Sequence, residues 1–271
     1  MSDIENTADC LVNLESEGAI GVVTLNNEKS RNALSLAMLA ALTQTLDDIA
    51  GRRDLRAIVL QAEGGAFCAG HDLKELTAHR SDPDGGRAFF EQTMQACSAA
   101  MQKIVALPQP VVAAVDGIAT AAGCQLVATC DLAVAGPLAR FCTPGVNIGL
   151  FCSTPAVALS RNLSRKHAME MLLTGDVYDA ESALRFGLIN RIAPDGARIG
   201  AFELATIVAS RSPQALSLGK KVFYRQIEAP LAHAYDIASA AMVDNLLLAN
   251  AKEGIGAFLE KRPPDWDKAD R

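Results

Sequence analysis

Two segments rich in glycine and alanine, residues 66–76 and 115–131, contain the groups best suited to chemistry in this chain. Each has the pattern of a β-strand that ends, turns sharply and enters a helix. Such a turn directs a free backbone N–H, together with the positive end of the helix dipole, at a negatively polarised oxygen. If the two turns face each other, they form an oxyanion hole, which stabilises negative charge that develops on one oxygen atom.

The elements around these segments alternate between strands and helices in the first half of the chain. Branched and apolar residues predict strands at 19–25, 55–60, 111–115, 132–135 and 140–142. Helical spacing of apolar residues predicts helices over 35–50, with Ser35 as the N-cap, and over 87–106. A strand is predicted at 188–192, but the pattern beyond residue 153 is otherwise helical. This order predicts an α/β fold with a helical region after it.

Composition and charge exclude several classes of protein. The 271 residues include 25 Lys and Arg against 31 Asp and Glu, and this net charge of −6 opposes a nucleic-acid-binding surface. No apolar stretch is long enough to span a bilayer, and the N-terminus lacks the pattern of a signal peptide. The seven scattered cysteines indicate buried thiols in a reducing compartment, and the four histidines show no metal-ligand spacing with them. We therefore expect a cytoplasmic protein without a metal, membrane or nucleic-acid partner.

Several short motifs follow one another along nearly the whole chain, and each of them is weak alone. They are Asn32-Ala33-Leu34-Ser35, Ala66-Phe67-Cys68-Ala69-Gly70 with Asp72-Leu73-Lys74-Glu75, Val115-Asp116-Gly117 with Gly123-Cys124, the run 130–135, Pro144, Leu173-Thr174-Gly175, the run 183–188 and the run 253–262. In this order and spacing, the chain resembles the crotonase family, also called the enoyl-CoA hydratase/isomerase family. The finer pattern at 70–76 and 119–126 resembles one branch of that family.

The resemblance implies a crotonase-like spiral of ββα units over residues 1–200 and a C-terminal helical trimerisation region over residues 201–271. Family members bind acyl-CoA thioesters and stabilise the enolate made from the thioester carbonyl. Coenzyme A is then part of the substrate, so no separate cofactor is expected. We therefore expect an enoyl-CoA hydratase or isomerase that assembles as a homotrimer or a dimer of trimers.

The same resemblance implies roles for individual residues. By their positions in the family pattern, the backbone N–H groups of His71 and Ala122 are the two oxyanion donors. Lys74 approaches the CoA phosphates, while Lys261 reaches a phosphate of CoA bound to a neighbouring subunit. The full set of expected CoA-binding residues is Ala33, Ala69, Gly70, Asp72, Leu73, Lys74 and Lys261.

The chain departs from the family pattern at two catalytic positions. Hydratases of the family use one glutamate three residues after the second oxyanion donor and another after the proline of the next strand's loop. Those positions hold Gln125 and Gly145 here, and neither residue exchanges a proton near neutral pH. Because each general acid or base contributes about 10²–10⁴-fold, we expect slow hydration. We also expect Gln125→Glu combined with Gly145→Glu to raise its rate.

Three functions fit these residues. The first is hydratase-type chemistry by displaced groups, for which Cys152 and Ser153 are candidates, although an inert thiol and a helix cap are the simpler interpretations. The second is another crotonase reaction, such as thioester hydrolysis or isomerisation, in which the His71 imidazole takes part. The third is acyl-CoA binding without catalysis. RNA binding would need a basic helix, and the overall charge opposes it.

Overall fold

Ten β-strands in residues 10–266, the residues that the computed structural model describes, form two sheets. The strands are β1 (Val12–Glu17), β2 (Ile20–Leu25), β3 (Ala57–Ala62), β4 (Ala66–Cys68), β5 (Val111–Val115), β6 (Ile118–Thr120), β7 (Leu132–Ala135), β8 (Arg140–Cys142), β9 (Tyr178–Asp179) and β10 (Arg191–Ile192). The larger sheet has the order β1-β2-β3-β5-β7-β10, and the smaller has the order β4-β6-β8-β9. Neighbouring strands are parallel except in the pairs β1–β2 and β8–β9.

Consecutive strands from β3 to β8 alternate between the two sheets. Strands β3, β5 and β7 lie side by side in the larger sheet, whereas β4, β6 and β8 lie side by side in the smaller one. Each repeat therefore adds one parallel strand to each sheet before the chain returns through a helix or a turn. This advance is the spiral of ββα units expected from the resemblance, and the expected fold class is confirmed.

Eleven α-helices in the described residues cover the sheets and continue beyond them. They are α1 (Leu36–Ala50), α2 (Leu73–Ala78), α3 (Arg87–Ala106), α4 (Ala122–Thr129), α5 (Ser153–Asn162), α6 (Arg165–Thr174), α7 (Ala180–Phe186), α8 (Ala197–Ala209), α9 (Pro213–Gln226), α10 (Leu231–Leu247) and α11 (Ala249–Leu259). Ser35 caps α1 as predicted, because its hydroxyl accepts a hydrogen bond from the Met38 N–H at 3.1 Å.

Three strands differ from the sequence prediction, and one of them is the two-residue strand β9, which was not predicted. Strand β1 was not predicted, because it is an edge strand of sequence Val-Asn-Leu-Glu-Ser-Glu whose second half is exposed, so its hydrophobic signal is weak. The strand predicted at 188–192 is reduced to Arg191–Ile192. Leu188 and Ile189 are buried without joining a ladder, since apolar side chains also bury from a turn.

Helix α8 packs on one face of the larger sheet with small side chains. Ala197, Ala201 and Ala205 are buried there against the strands, so the helix approaches closely. The carboxylate of Asp116 accepts hydrogen bonds from the Ala197 N–H at 3.1 and 3.2 Å and thereby fixes the start of α8. The expected domain boundary at residue 200 falls within this helix, and the division into two domains stays a prediction.

A buried ion pair joins helix α9 to the sheet. The ammonium of Lys220 donates to Asp131 Oδ2 at 2.7 Å, to the Ile104 carbonyl at 2.9 Å and to the Gln109 carbonyl at 3.1 Å. The Asp131 carboxylate also accepts hydrogen bonds from the Val111 N–H at 2.7 Å and from the Tyr224 hydroxyl at 2.9 Å. Every donor and acceptor at this junction therefore has a partner, as a buried charge requires.

Three expectations from the sequence concern the state of the cysteines, membrane-spanning helices and metal-binding groups. All seven cysteines are free thiols, six of them buried and Cys10 exposed, as the sequence predicted for most of them. Within residues 10–266 no helix combines the length and the apolar character needed to cross a bilayer. In the same residues no group of three or more His, Cys, Asp or Glu side chains is arranged to hold a metal ion.

Candidate functional site

The two glycine- and alanine-rich turns lie against each other. A Cβ added at Gly70 would lie 3.0 Å from the Thr120 carbonyl and 3.3 Å from the Ala122 nitrogen. A Cβ added at Gly123 would lie 2.2 Å from the Cys68 carbonyl, so both glycines are needed for the backbones to approach this closely. The Thr120 hydroxyl adds a hydrogen bond of 2.9 Å to the Ala69 carbonyl. The structure therefore brings the sequence-predicted donors, His71 and Ala122, into one place.

Neither predicted donor is engaged elsewhere. Among the backbone hydrogen bonds of residues 10–266, none uses the N–H of His71 or of Ala122. Ala122 is the first residue of α4, where an N–H has no partner within its own helix. Its N–H therefore lies at the positive end of the α4 dipole and is free to bind an anionic oxygen.

The residue before Ala122 has a strained backbone. Ala121 has φ 49° and ψ −115°, a conformation that residues with a Cβ rarely adopt. Two hydrogen bonds hold it there, from the Ala121 N–H to the Cys142 carbonyl at 2.9 Å and from the Gln125 N–H to the Ala121 carbonyl at 3.0 Å. Strain of this kind is kept where the surrounding structure fixes it, often at functional sites. Here it turns the chain so that α4 starts with the N–H of Ala122.

We expect Ala121→Gly to raise the free energy of unfolding by about 1 kcal/mol, because relief of the strain exceeds the entropic cost of glycine. Denaturant unfolding measures the change. Ala99→Gly, at an exposed interior position of α3, is the matched control and should lower stability by about 1 kcal/mol. Equal losses in the two variants would show that Ala121 is not strained.

The loop around Ala33 contacts the first of the two turns. The Leu34 N–H donates to the Gly70 carbonyl at 2.7 Å, and the Ala69 N–H donates to the Arg31 carbonyl at 3.0 Å. The fully buried Asn32 organises the loop, since its amide donates to the Glu63 and Ala66 carbonyls, both at 2.9 Å. Its role, like that of Thr120, was missed from the sequence, where a buried asparagine gives no signal apart from its place in the family motif.

The expected CoA-binding residues after Gly70 differ in their surroundings. Asp72 caps α2, because its carboxylate accepts from the Lys74 N–H at 2.9 Å and from the Glu75 N–H at 3.2 Å. Leu73 is 51% exposed and Lys74 is exposed, so both can contact a ligand. Lys261 is exposed two residues beyond the end of α11, a helix that packs on α9 and α10.

Two polar side chains beside the turns lack hydrogen-bond partners. Gln125 is 5% exposed in the first turn of α4, and its Oε1 has no partner among the described residues. Neither ring nitrogen of His71 has one either. Burial lowers the pKa of the His71 imidazole below its ordinary value, and the nearby Leu34 carbonyl offsets part of this effect. The imidazole is therefore neutral at neutral pH.

Gly145 has no room for a side chain. A Cβ at this position would lie 2.7 Å from the Leu150 carbonyl oxygen and 2.9 Å from the Cys152 Sγ. The Cys152 thiol therefore lies next to the position of the second family glutamate. Burial raises the pKa of this thiol, and the Gly145 N–H offsets part of the rise, so Cys152 is not set up as a nucleophile. Ser153 does not cap α5, since its hydroxyl donates to the Phe151 carbonyl at 3.3 Å.

The crowding at Gly145 changes the outcome expected for a restored glutamate pair. We now expect Gln125→Glu combined with Gly145→Glu not to raise hydration, because the second side chain forces the loop apart. Gly145→Ala isolates the effect and should lower the free energy of unfolding by about 1–3 kcal/mol. Gly219→Ala, inside α9 with no atom within 4 Å of an added Cβ, should instead stabilise the protein by about 0.5–1 kcal/mol. Unfolding midpoints compare the pair, and a neutral Gly145→Ala would contradict the crowding.

Comparison with known proteins identifies the family of this site. The family model described as enoyl-CoA hydratase/isomerase matches residues 15–269. Rat enoyl-CoA hydratase domain-containing protein 3, mitochondrial, is 48% identical over 257 residues, which cover 94% of this chain and 84% of the relative. The crystal structure of the human domain-containing protein 3 has a TM-score of 0.89 at 46% identity and covers 94% of this chain and 100% of that one. A Mycobacterium smegmatis enoyl-CoA hydratase has a TM-score of 0.90 at 47% identity, with 95% and 99% covered.

The chain therefore belongs to the enoyl-CoA hydratase/isomerase family, which is the crotonase family expected from its motifs. Its strong similarity to the domain-containing protein 3 branch is confirmed as well. The expected cytoplasmic location is wrong, because the rat, mouse and human relatives are all named mitochondrial. That expectation came from the scattered cysteines, and buried thiols suit any compartment that keeps thiols reduced.

Proposed function

We propose that this chain binds acyl-CoA thioesters and holds the thioester carbonyl oxygen between the N–H groups of His71 and Ala122. The observation that carries the proposal is the contact between the two turns, in which neither N–H has another acceptor among the described residues. An enolate formed from a thioester concentrates negative charge on that one oxygen. Two fixed donors and the start of α4 are therefore most effective when the charge develops.

Backbone donors suit this chain because they do not depend on side-chain identity. His71 and Ala122 can therefore polarise a carbonyl whatever reaction follows. The loop at Ala33, with Ala69 and Gly70, forms the adjacent wall, and the exposed Leu73 and Lys74 extend it towards solvent. We assign these residues, with the cap Asp72 holding α2 in place, to the coenzyme A moiety.

The residues at the two family glutamate positions provide little general acid–base catalysis. Gln125 orients a water molecule or the substrate through its amide but takes no proton from it. Gly145 contributes no side chain, and the space beside it is filled by Leu150 and Cys152. Hydration of an enoyl-CoA is then slow compared with a relative that has both glutamates, since each missing group costs about 10²–10⁴-fold.

Two neighbouring functions remain as alternatives. Acyl-CoA binding without turnover is favoured by the absence of a carboxylate at the two family positions. A different crotonase reaction, such as thioester hydrolysis, is favoured by the neutral His71 imidazole. Neither of its ring nitrogens has a partner among the described residues, and the unprotonated one can accept a proton or a hydrogen bond from water.

Calorimetric titration with butyryl-CoA and steady-state assays with crotonyl-CoA test the proposal. We expect binding of butyryl-CoA, with crotonyl-CoA hydrated slowly or not at all. A hydration rate like that of an efficient hydratase would overturn the assignment of Gln125. Failure to bind any CoA thioester would overturn the whole proposal.

We also propose that the chain assembles as a homotrimer or a dimer of trimers. No residue of α10 is buried in the single chain, and the helix exposes large apolar side chains, including Leu231, Tyr235, Met242 and Leu247. So much exposed apolar surface is typical of an interface. Lys261 would then approach a site on a neighbouring subunit. Sedimentation equilibrium should give a trimer or hexamer, and a monomer would contradict the assembly.

A further inference from the structure

Helix α2, which carries two of the expected CoA-binding residues, has little packing of its own. None of its six residues is buried, and Leu73 and Lys74 are exposed in its first turn. The cap Asp72 accepts from the N–H groups of Lys74 and Glu75, which belong to the same helix. Isolated helices this short are not stable in water, so the place of α2 depends on contacts with neighbouring elements.

Glu75 makes such a contact with the start of helix α1. Its Oε2 accepts a hydrogen bond of 3.1 Å from the Leu36 N–H, across 39 positions of sequence. Leu36 is the first residue of α1, where an N–H has no acceptor within its own helix. Helix α1 has 15 residues, so the Glu75 carboxylate lies at the positive end of a full helix dipole. The hydrogen bond and the charge therefore both stabilise the contact between α2 and α1.

The residues on either side of α2 have separate attachments. Before the helix, Leu34 and His71 form an isolated parallel bridge. After it, the His79 ring stacks on Phe89 with the ring centroids 3.6 Å apart. Among the described residues, Glu75 is the one α2 residue whose side chain forms a hydrogen bond with another element. Glu75 therefore fixes the first turn of α2 to the rest of the fold.

The side chains of this turn have different surroundings. Glu75 is partly buried against α1, whereas Leu73 and Lys74 are exposed. Residues next to each other in a helix do not face each other, so Glu75 can contact α1 while Lys74 stays free for a ligand.

We propose that Glu75 is a positioning residue for coenzyme A, because it fixes α2 on the start of α1 and thereby holds Lys74 and Leu73 where the CoA moiety binds. This inference rests on the proposed function, which assigns Lys74 and Leu73 to CoA. Glu75 itself touches no ligand. It strengthens binding because side chains that are already in place lose less conformational freedom when the ligand binds.

Calorimetric titration with butyryl-CoA tests the inference. Glu75→Ala should weaken binding about tenfold, the value of one hydrogen bond to a charged group. Glu75→Gln keeps an oxygen that accepts from the Leu36 N–H, so its affinity should stay within about threefold of wild type. When Lys74 is already alanine, the loss caused by Glu75→Ala should fall to about threefold or less, because Glu75 acts through that side chain. Additive losses from the two alanine substitutions would overturn the inference.

Ser35→Ala is the matched control, because it removes a hydrogen bond at the same end of α1 without changing α2. The Ser35 hydroxyl accepts from the Met38 N–H at 3.1 Å, the same length as the bond that Glu75 accepts. Both variants should lower the thermal unfolding midpoint to a similar degree, but only Glu75→Ala should weaken butyryl-CoA binding. Equal weakening in the two variants would show that the end of α1, and not the position of α2, controls affinity.

A measurement without ligand separates this inference from the proposed function. Amide hydrogen exchange of residues 73–81 should be about tenfold faster in Glu75→Ala than in the wild type and unchanged in Ser35→Ala. Unchanged exchange in Glu75→Ala would overturn the inference even if butyryl-CoA binds. If exchange is faster but the wild type binds no CoA thioester, the proposed function fails, and with it the role of Glu75 in CoA binding.

Discussion

A lactic acid residue in place of Ala122, which exchanges the backbone N–H for an oxygen atom, should lower crotonyl-CoA turnover by about 10²–10³-fold. The methyl side chain is kept, so the loss reports the donor and not the packing of α4. If wild-type turnover is too slow to measure, the polarisation of the thioester carbonyl can be measured instead. The ¹³C chemical shift of that carbonyl in bound butyryl-CoA reports it for both proteins. That shift should move back towards the value of free butyryl-CoA, because the carbonyl is less polarised.

The same exchange at Ala180 is the matched control for the backbone change. Ala180 is also a buried alanine at the first position of a helix, and the structure places it in α7. An ester at either position weakens the acceptor carbonyl before it, so both variants should lose similar stability. Turnover or carbonyl polarisation that falls equally in both variants would show that the Ala122 N–H is not an oxyanion donor.

Lys220→Met should lower the free energy of unfolding by about 3–5 kcal/mol, the usual cost of removing one partner of a buried ion pair. The Asp131 carboxylate is then left with the Val111 N–H and the Tyr224 hydroxyl but without a counter-charge. The carbonyls of Ile104 and Gln109 lose a donor in the same step. Burial and the neighbouring Asp131 carboxylate both raise the pKa of Tyr224, so this hydroxyl stays protonated and cannot replace the lost charge.

Lys221→Met provides the matched control, because Lys221 is the next residue in α9 and is exposed. It should change stability by no more than about 0.5 kcal/mol. Denaturant unfolding at one fixed protein concentration measures both variants, since assembly would make stability depend on concentration. Similar losses in the two variants would show that the ion pair does not anchor α9.

The sequence predicted the elements with strong periodic patterns. The helix from Arg87 to Ala106 and the strand from Val111 to Val115 have the predicted ends, because Pro108 and Pro110 separate two clear apolar patterns. The polar edge strand β1 was missed, since its stability comes from pairing with β2 and not from its own pattern. The cytoplasmic expectation was wrong because buried thiols indicate a reducing compartment but do not say which compartment it is.

For the candidate site, the sequence alone identified the two turns, the residue types at Gln125 and Gly145, and the family. Those conclusions depend on residue identity and order along the chain. The tertiary structure alone decided that Gly70 touches the start of α4, that Ala121 is strained and that Cys152 and Leu150 fill the space beside Gly145. It also decided that Lys220 of α9 pairs with Asp131. These features depend on distances between residues far apart in sequence, which are set only when the two sheets and α9 pack together.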